Sequence, residues 1–168
     1  MLKFSLVTIL NYMKNKKVMI TDEISDGSHS IGRLIFQLQR LERNPRTFDK
    51  AGTLTPSEIH AVDAIGEDGN VLMSQLAERL GVTKGAITQV IGRLEKKGLV
   101  YRTGHPEDSR AVLISLTERG VVAYRAHMEL HYQFYQKLKK QLSPEEIAIF
   151  EKGIKTFTGL LNEENEWQ

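Results

Sequence analysis

Leu76-Ala77-Glu78-Arg79-Leu80-Gly81-Val82-Thr83-Lys84-Gly85-Ala86-Ile87-Thr88-Gln89 holds two helical patterns that meet across a single residue. Ser74 stands just before it as an N-cap for a short helix carrying Leu76, Ala77 and Leu80, and Gly81 is placed to end that helix. Only Val82 separates the glycine from Thr83, a second N-cap. Two short helices joined this tightly have the pattern of a helix-turn-helix.

The second helix is expected over 83–97, with Gly98 as its stop and Lys96 and Lys97 in the last turn, where they suit the helix dipole. Ile87, Val90, Ile91 and Leu94 share one side. At about 100° per residue the opposite side carries Gly85, Thr88, Gln89, Gly92 and Lys96, flanked by Lys84 and Arg93. Small, polar and basic groups of this kind can enter a major groove and bond base edges or phosphates. A merely solvated outer face has the same composition, so the flanking sequence has to decide.

That flank is β-prone: Leu99-Val100-Tyr101-Arg102 and Ala111-Val112-Leu113-Ile114-Ser115-Leu116 bracket a polar loop, 103–110, with Gly104 and Pro106. A helix-turn-helix followed at once by a β-hairpin is a winged helix. Arg110 in this wing has the chemistry to enter a minor groove, where the negative potential is high, and Asp108 sits beside it. A surface Asp–Arg pair without a ligand is the plainer alternative. Between Thr83 and Arg110 there are six Lys or Arg against three acids, so the segment is locally basic although the whole chain is only +2.

Upstream, Thr55-Pro56-Ser57-Glu58 opens a helix as N-cap, first-turn proline and capping-box glutamate, with Ile59, Val62 and Ile65 on its buried face. Glu67-Asp68-Gly69-Asn70 is a turn. Further out, Ile31, Leu34, Ile35, Leu38 and Leu41 give a first helix over 26–44, followed by a polar linker over 46–54. A helix over 118–142 and another opened by Ser143-Pro144-Glu145-Glu146 finish the chain. The fold expected is mainly α with a small β-hairpin wing. Its winged helix-turn-helix spans 55–117, a helical dimerisation region is built from 26–54 and 118–164, and 1–25 form an N-terminal extension. The apolar stripes outside the winged unit need partners, and a second copy of the chain supplies them economically.

With 168 residues, 40% hydrophobic and 26% charged, the chain has the composition of an ordinary globular domain. It has no cysteine, which excludes disulfides, thiolate metal sites and cysteine nucleophiles. The short apolar run at 2–10 meets Asn11 and lysines with no small-residue cleavage site, and falls short of the roughly 20 residues a bilayer span needs. The expectation is a cytoplasmic protein without a membrane partner. There is no Gly-rich phosphate loop or nucleophile elbow, so no enzyme is expected.

Four stretches carry a family resemblance: Leu54-Thr55-Pro56-Ser57-Glu58, Leu76 to Thr83, Leu94-Glu95-Lys96-Lys97-Gly98-Leu99-Val100, and the wing Asp108-Ser109-Arg110 with Ile114-Ser115-Leu116-Thr117. The chain resembles the MarR family of bacterial and archaeal regulators over about residues 26–161. The resemblance implies a two-fold dimer bound to duplex DNA, with recognition helices in successive major grooves and Arg110 of each wing, held by Asp108, in the minor groove. The DNA-facing set is then Thr83, Lys84, Gly85, Thr88, Gln89, Arg93, Lys96, Asp108 and Arg110. Gly85 and Gln89 stand where relatives often carry larger or basic residues, which leaves the base preference open.

His127 and His131 lie four residues apart on one helix, on the side of Tyr124, Phe134 and Leu138, so both are expected to point inward. That spacing lets two imidazoles share a metal, and it equally suits two histidines that only hydrogen-bond in a packed face. The chain further resembles the zinc-sensing branch of the family, which implies a ligand set of Glu42, His60, His127 and His131. Three imidazoles and a carboxylate suit tetrahedral zinc. Zinc is then an effector that strengthens DNA binding, not a cofactor the fold requires. An organic, often aromatic, acid in the same cleft is the alternative effector. The HxxxH pair lacks the glutamate that zinc proteases place directly after the first histidine, since Met128 stands there. A winged helix used for protein contacts is the alternative of another class, and the polar, basic recognition face speaks against it.

Overall fold

A computed structural model describes residues 26–41 and 43–165. The N-terminal extension and Glu42 lie outside the described residues. The chain forms two compact units, one ending at His127 and one beginning at Met128.

The first unit opens with α1, Asp26–Leu41, and its centre is α2, Pro56–Ile65, followed by β3, Val71–Leu72, α3, Met73–Arg79, and α4, Lys84–Lys96. The wing is β4, Val100–Gly104, and β5, Val112–Leu116, and α5, Glu118–Lys139, begins here and runs on past His127. All strand pairs are antiparallel, in the order β3-β5-β4, with Val71 opposite Ile114 and Val100 opposite Leu116. The mainly helical, winged fold expected from the sequence is present. The core collects Leu54, Val62, Leu76, Ile87, Ile91, Leu94, Leu99 and Ile114, all essentially without exposure. Burial of each is worth roughly 1.5–3 kcal/mol.

The turn between α3 and α4 is closed by main-chain bonds from Val82 N–H to Ala77 O, 2.9 Å, and from Gly81 N–H to Glu78 O, 3.0 Å. This paired closure needs a left-handed residue, and Gly81 has φ of 59°. The same closure ends α4 at Gly98, φ 68°, with Leu99 N–H on Leu94 O. Thr83 caps α4 as expected, its Oγ1 accepting from Ala86 N–H at 3.2 Å.

Several boundaries differ from the sequence expectation. α1 is described to Leu41, and Arg43 and Asn44, expected within it, form a bend ahead of Pro45, whose ring disfavours helical backbone at Asn44. α3 starts at Met73, so Ser74 is inside the first turn and not the cap. Gln75 does the capping, its Oε1 accepting Leu72 N–H at 3.0 Å. The stretch expected as a polar linker is a folded corner: β1, Arg46–Thr47, pairs with β2, Thr53–Leu54, around a 3-10 turn, Asp49–Ala51. Phe48, Ala51 and Leu54 are buried there, an apolar triplet in a run too short, and too interrupted by Gly52, to identify an element.

The second unit holds the rest of α5 and α6, Pro144–Asn165. Ser143 and Glu146 exchange the two bonds of a capping box, 2.7 and 3.2 Å, as the sequence indicated. Ile147 is buried, whereas Ile149, Phe150, Ile154, Phe157 and Leu160 of α6 are exposed. In the first unit α1 likewise exposes Ile31, Leu34, Phe36, Leu38 and Leu41. Among the described residues no helix is long and apolar enough to cross a membrane.

Candidate nucleic-acid interface

The interface is organised by α4. Ile87, Ile91 and Leu94 are buried and Val90 is half-buried, so the opposite face is presented outward, with Lys84, Gly85, Thr88, Gln89, Arg93 and Lys96 exposed and Gly92 partly so. Thr83, Asp108 and Arg110 are exposed as well. The Thr88 hydroxyl donates to Lys84 O at 2.7 Å and keeps its oxygen as an acceptor.

The cations of this segment are not equivalent. Lys97 Nζ lies 2.7 Å from Glu58 Oε2 and 3.1 Å from Thr53 O, and Arg93 Nε is 3.6 Å from Glu58 Oε1. The Glu58 side chain is only 1% exposed. Its Oε2 also accepts Thr55 N–H at 2.9 Å, the capping-box bond expected from the sequence. Burial pushes this carboxyl up, but the Lys97 ammonium and the Thr55 N–H outweigh burial and hold it below the ordinary glutamate value. Arg102 is paired with Glu95 at 3.1 Å. Among the described residues Lys84, Lys96 and Arg110 form no ion pair.

In the wing, Asp108 Oδ1 accepts the main-chain N–H of Arg110 at 2.9 Å, and Ala111 N–H reaches Asp108 O at 3.0 Å. The aspartate thus shapes the turn through the arginine's backbone, leaving the guanidinium in solvent. His105 Nδ1 accepts Glu107 N–H at 3.2 Å and further closes the loop. Neither the double role of Glu58 nor this histidine was evident from spacing. The capping-box position of Glu58 was legible in the sequence, but its burial and its pairing with Lys97 and Arg93 were not.

The expected metal ligands are brought together in part. His60 and His127 have ring centroids 6.3 Å apart, and Phe48 packs edge-on against His127 at 6.0 Å. His131 is exposed and belongs to the second unit, against the expectation that both helix histidines face inward. The start of α5 is sealed against the core through Gly120 and Ala123, whereas residues 129–134 are all exposed. Among the described residues no three His, Cys, Asp or Glu side chains come close enough to hold a metal ion. A cleft of about 250 Å³ opens beside His60, walled by Leu80, Val82, Ala86 and Val90 with Gln89 and Arg93 at its polar edge.

Comparison with known proteins places this arrangement. The model of the MarR family matches residues 53–111, from β2 through the wing. The multiple antibiotic resistance protein MarR of Salmonella typhimurium is 29% identical over 137 residues, which is 80% of this chain and 95% of that protein. Streptococcus pneumoniae FabT, solved in complex with DNA, is similar with a TM-score of 0.68 and 28% identity, covering 84% of this chain and 97% of its own. The zinc-responsive Lactococcus lactis ZitR shares the fold with a TM-score of 0.57 at 23% identity, over 82% and 97% of the two chains. With an outward-facing helix backed by a wing, over residues that the MarR family model matches, the chain is similar to the MarR family of winged-helix DNA-binding transcription regulators.

Proposed function

We propose that the protein is a homodimeric repressor that reads a palindromic operator, with α4 in the major groove and the 103–110 wing in the minor groove. The observation that carries this is the outward face of α4: Lys84, Gly85, Thr88, Gln89 and Lys96 are exposed on a helix whose other side is locked in the core. Lys84 and Lys96 suit phosphates, Gln89 can bond an adenine edge bidentately, and Gly85 lets the backbone approach closely. Arg110 suits the narrow, negative minor groove. The exposed apolar residues of α1 and, separately, of α6 are what a second copy would cover. Such a dimer reads half-sites about 34–36 Å apart and represses by occupying the DNA between them.

Fluorescence anisotropy against duplexes selected from a random pool tests the proposal. Expected are a stoichiometry of one dimer per duplex, a two-fold symmetric selected site, and an affinity that falls steeply with salt because phosphate contacts release counterions. Recovery of no preferred sequence, or a salt-independent affinity, would return the chain to a protein-interaction role.

For the effector, the pair His60 and His127 favours a metal. Two imidazoles sharing tetrahedral zinc have centroids about 5 Å apart, so the 6.3 Å pair is within a modest rotamer adjustment of that geometry. His60 and His127 would hold the ion as neutral imidazoles, with His131 four residues on and Glu42 completing the proposed set. Bound there, zinc would join α2 of the winged unit to α5 and favour the DNA-competent spacing. Zinc titration against a chromophoric chelator, with His60→Ala and His127→Ala beside the wild type, decides. Tight binding lost in both variants, together with tighter operator binding in zinc, supports the metal. Zinc affinity indifferent to both changes leaves an organic acid as the effector.

A further inference from the structure

The buried carboxylate of Glu58 joins elements that apolar packing leaves adjustable. Ile87, Ile91 and Leu94 determine which face of α4 meets the core, but dispersion contacts are weakly directional and permit small tilts of the helix. Directional bonds converge on its last turn. Lys97 Nζ reaches Glu58 Oε2 at the start of α2 and Thr53 O in β2, and Arg93 Nε approaches Glu58 Oε1. From the start of α5, Arg119 Nη1 donates to Lys97 O at 3.1 Å. Among the described residues, the side-chain bonds at the first turn of α4 are its own cap and the back-bond of Thr88.

We propose that Glu58 is a positioning residue for DNA readout: it pins the C-terminal turn of α4 through Lys97 and Arg93 and so fixes the angle at which the N-terminal half of the helix is presented. This rests on α4 being the recognition helix. The leverage is geometric. From Lys97 to Gly85 the helix rises by about 18 Å at roughly 1.5 Å per residue, so a tilt of about 5° about the pinned end moves the readout residues by about 1.5 Å. Hydrogen bonds to base edges keep their strength over only a few tenths of an ångström. Bonds to phosphates, made by flexible lysines, follow such a shift. Loosening the brace therefore degrades sequence discrimination more than total affinity. Ionised Glu58 is required, because a neutral amide keeps the shape and can still accept Thr55 N–H but holds the two cations weakly.

The test measures wild type and Glu58→Gln on two duplexes, one selected from a random pool by the wild-type protein and one scrambled to the same composition, at fixed salt. The expected result is that the ratio of the two affinities falls by about tenfold or more in the variant, while affinity for the scrambled duplex changes by less than about threefold. A ratio equal to that of the wild type overturns the proposal, including when both affinities drop in parallel with a lower unfolding temperature, which is a purely structural role. Should Glu58→Gln not fold, Lys97→Met, which leaves the bond from Thr55 intact, is measured in the same way with the same expectation. Failure of the underlying interface reading is separately visible, because the wild type then selects no sequence at all.

Discussion

Gly120→Ala sets two opposing effects against each other at one position. Gly120 is in the first turn of α5, where alanine is the better helix former by up to about 1 kcal/mol. A Cβ built on Gly120, however, would sit 2.0 Å from Leu99 O and 3.1 Å from Leu116 Cβ. Leu99 O cannot yield freely, since it accepts Thr117 N–H at 3.0 Å where the wing passes into α5. Relieving a main-chain overlap of more than an ångström costs about 3 kcal/mol, at the upper end for overpacking, so a net loss of about 2 kcal/mol is expected. Gly92→Ala is the matched control. Gly92 is mid-helix in α4 and an added Cβ meets nothing within 4 Å, so the same substitution should stabilise by about 0.5–1 kcal/mol. Urea unfolding at one protein concentration, followed by circular dichroism, reads both. A Gly120→Ala midpoint equal to or above that of the wild type would show that the close approach of α5 to Leu99 does not exist.

Thr83→Ala removes the cap of α4 and should cost about 1 kcal/mol in the same urea assay, with no compensation from a neighbouring acceptor. Arg110→Ala should leave stability unchanged, because Asp108 bonds its main chain, and should lower the salt dependence of operator binding by about 0.9 per chain in the logarithmic slope. Glu58 also predicts an acid limb. Its folded-state value lies below the ordinary 4.5, so between the two values the unfolded chain binds more protons and stability rises with pH. That contribution is complete above about pH 5 and is lost as pH falls through the folded value. Glu58→Gln should flatten this part of a stability profile below about pH 5, and an unchanged profile would assign the acid sensitivity to other carboxylates.

The winged unit and the start of α6 were legible because their signals are local. Gly81 and Gly98 each stand where a paired main-chain closure needs positive φ, Thr83 caps the helix it precedes, and Ser143 with Glu146 closes a capping box, all within five residues of sequence. The corner at 46–54 was not legible. Its burial depends on Phe48 meeting His127 and on Leu54 entering a core assembled from α2, α4 and β5, contacts dozens of residues away in the chain. The third strand, β3, escaped for the same reason. Two residues carry no alternation, and only pairing with Leu113 and Ile114 makes Val71 and Leu72 a strand.

Charge shows most sharply what local reading misses at the site. Counting lysines and arginines between Thr83 and Arg110 finds a basic segment, and helical periodicity puts Lys84, Arg93 and Lys96 on or beside the outward face. Neither operation can tell a cation offered to solvent from one already bonded. Glu58 is 39 residues from Lys97 in sequence, yet the two atoms are 2.7 Å apart, and Glu95, counted as a local acid, neutralises Arg102 across the start of the wing. Half of the six cations are therefore compensated within the domain, and among the described residues Lys84, Lys96 and Arg110 form no ion pair. Two stand near opposite ends of α4 and one on the wing, the elements that the proposed docking puts against DNA. The compensated charge instead ties α4 to α2 and to the wing, which is the arrangement on which the proposed positioning role of Glu58 rests.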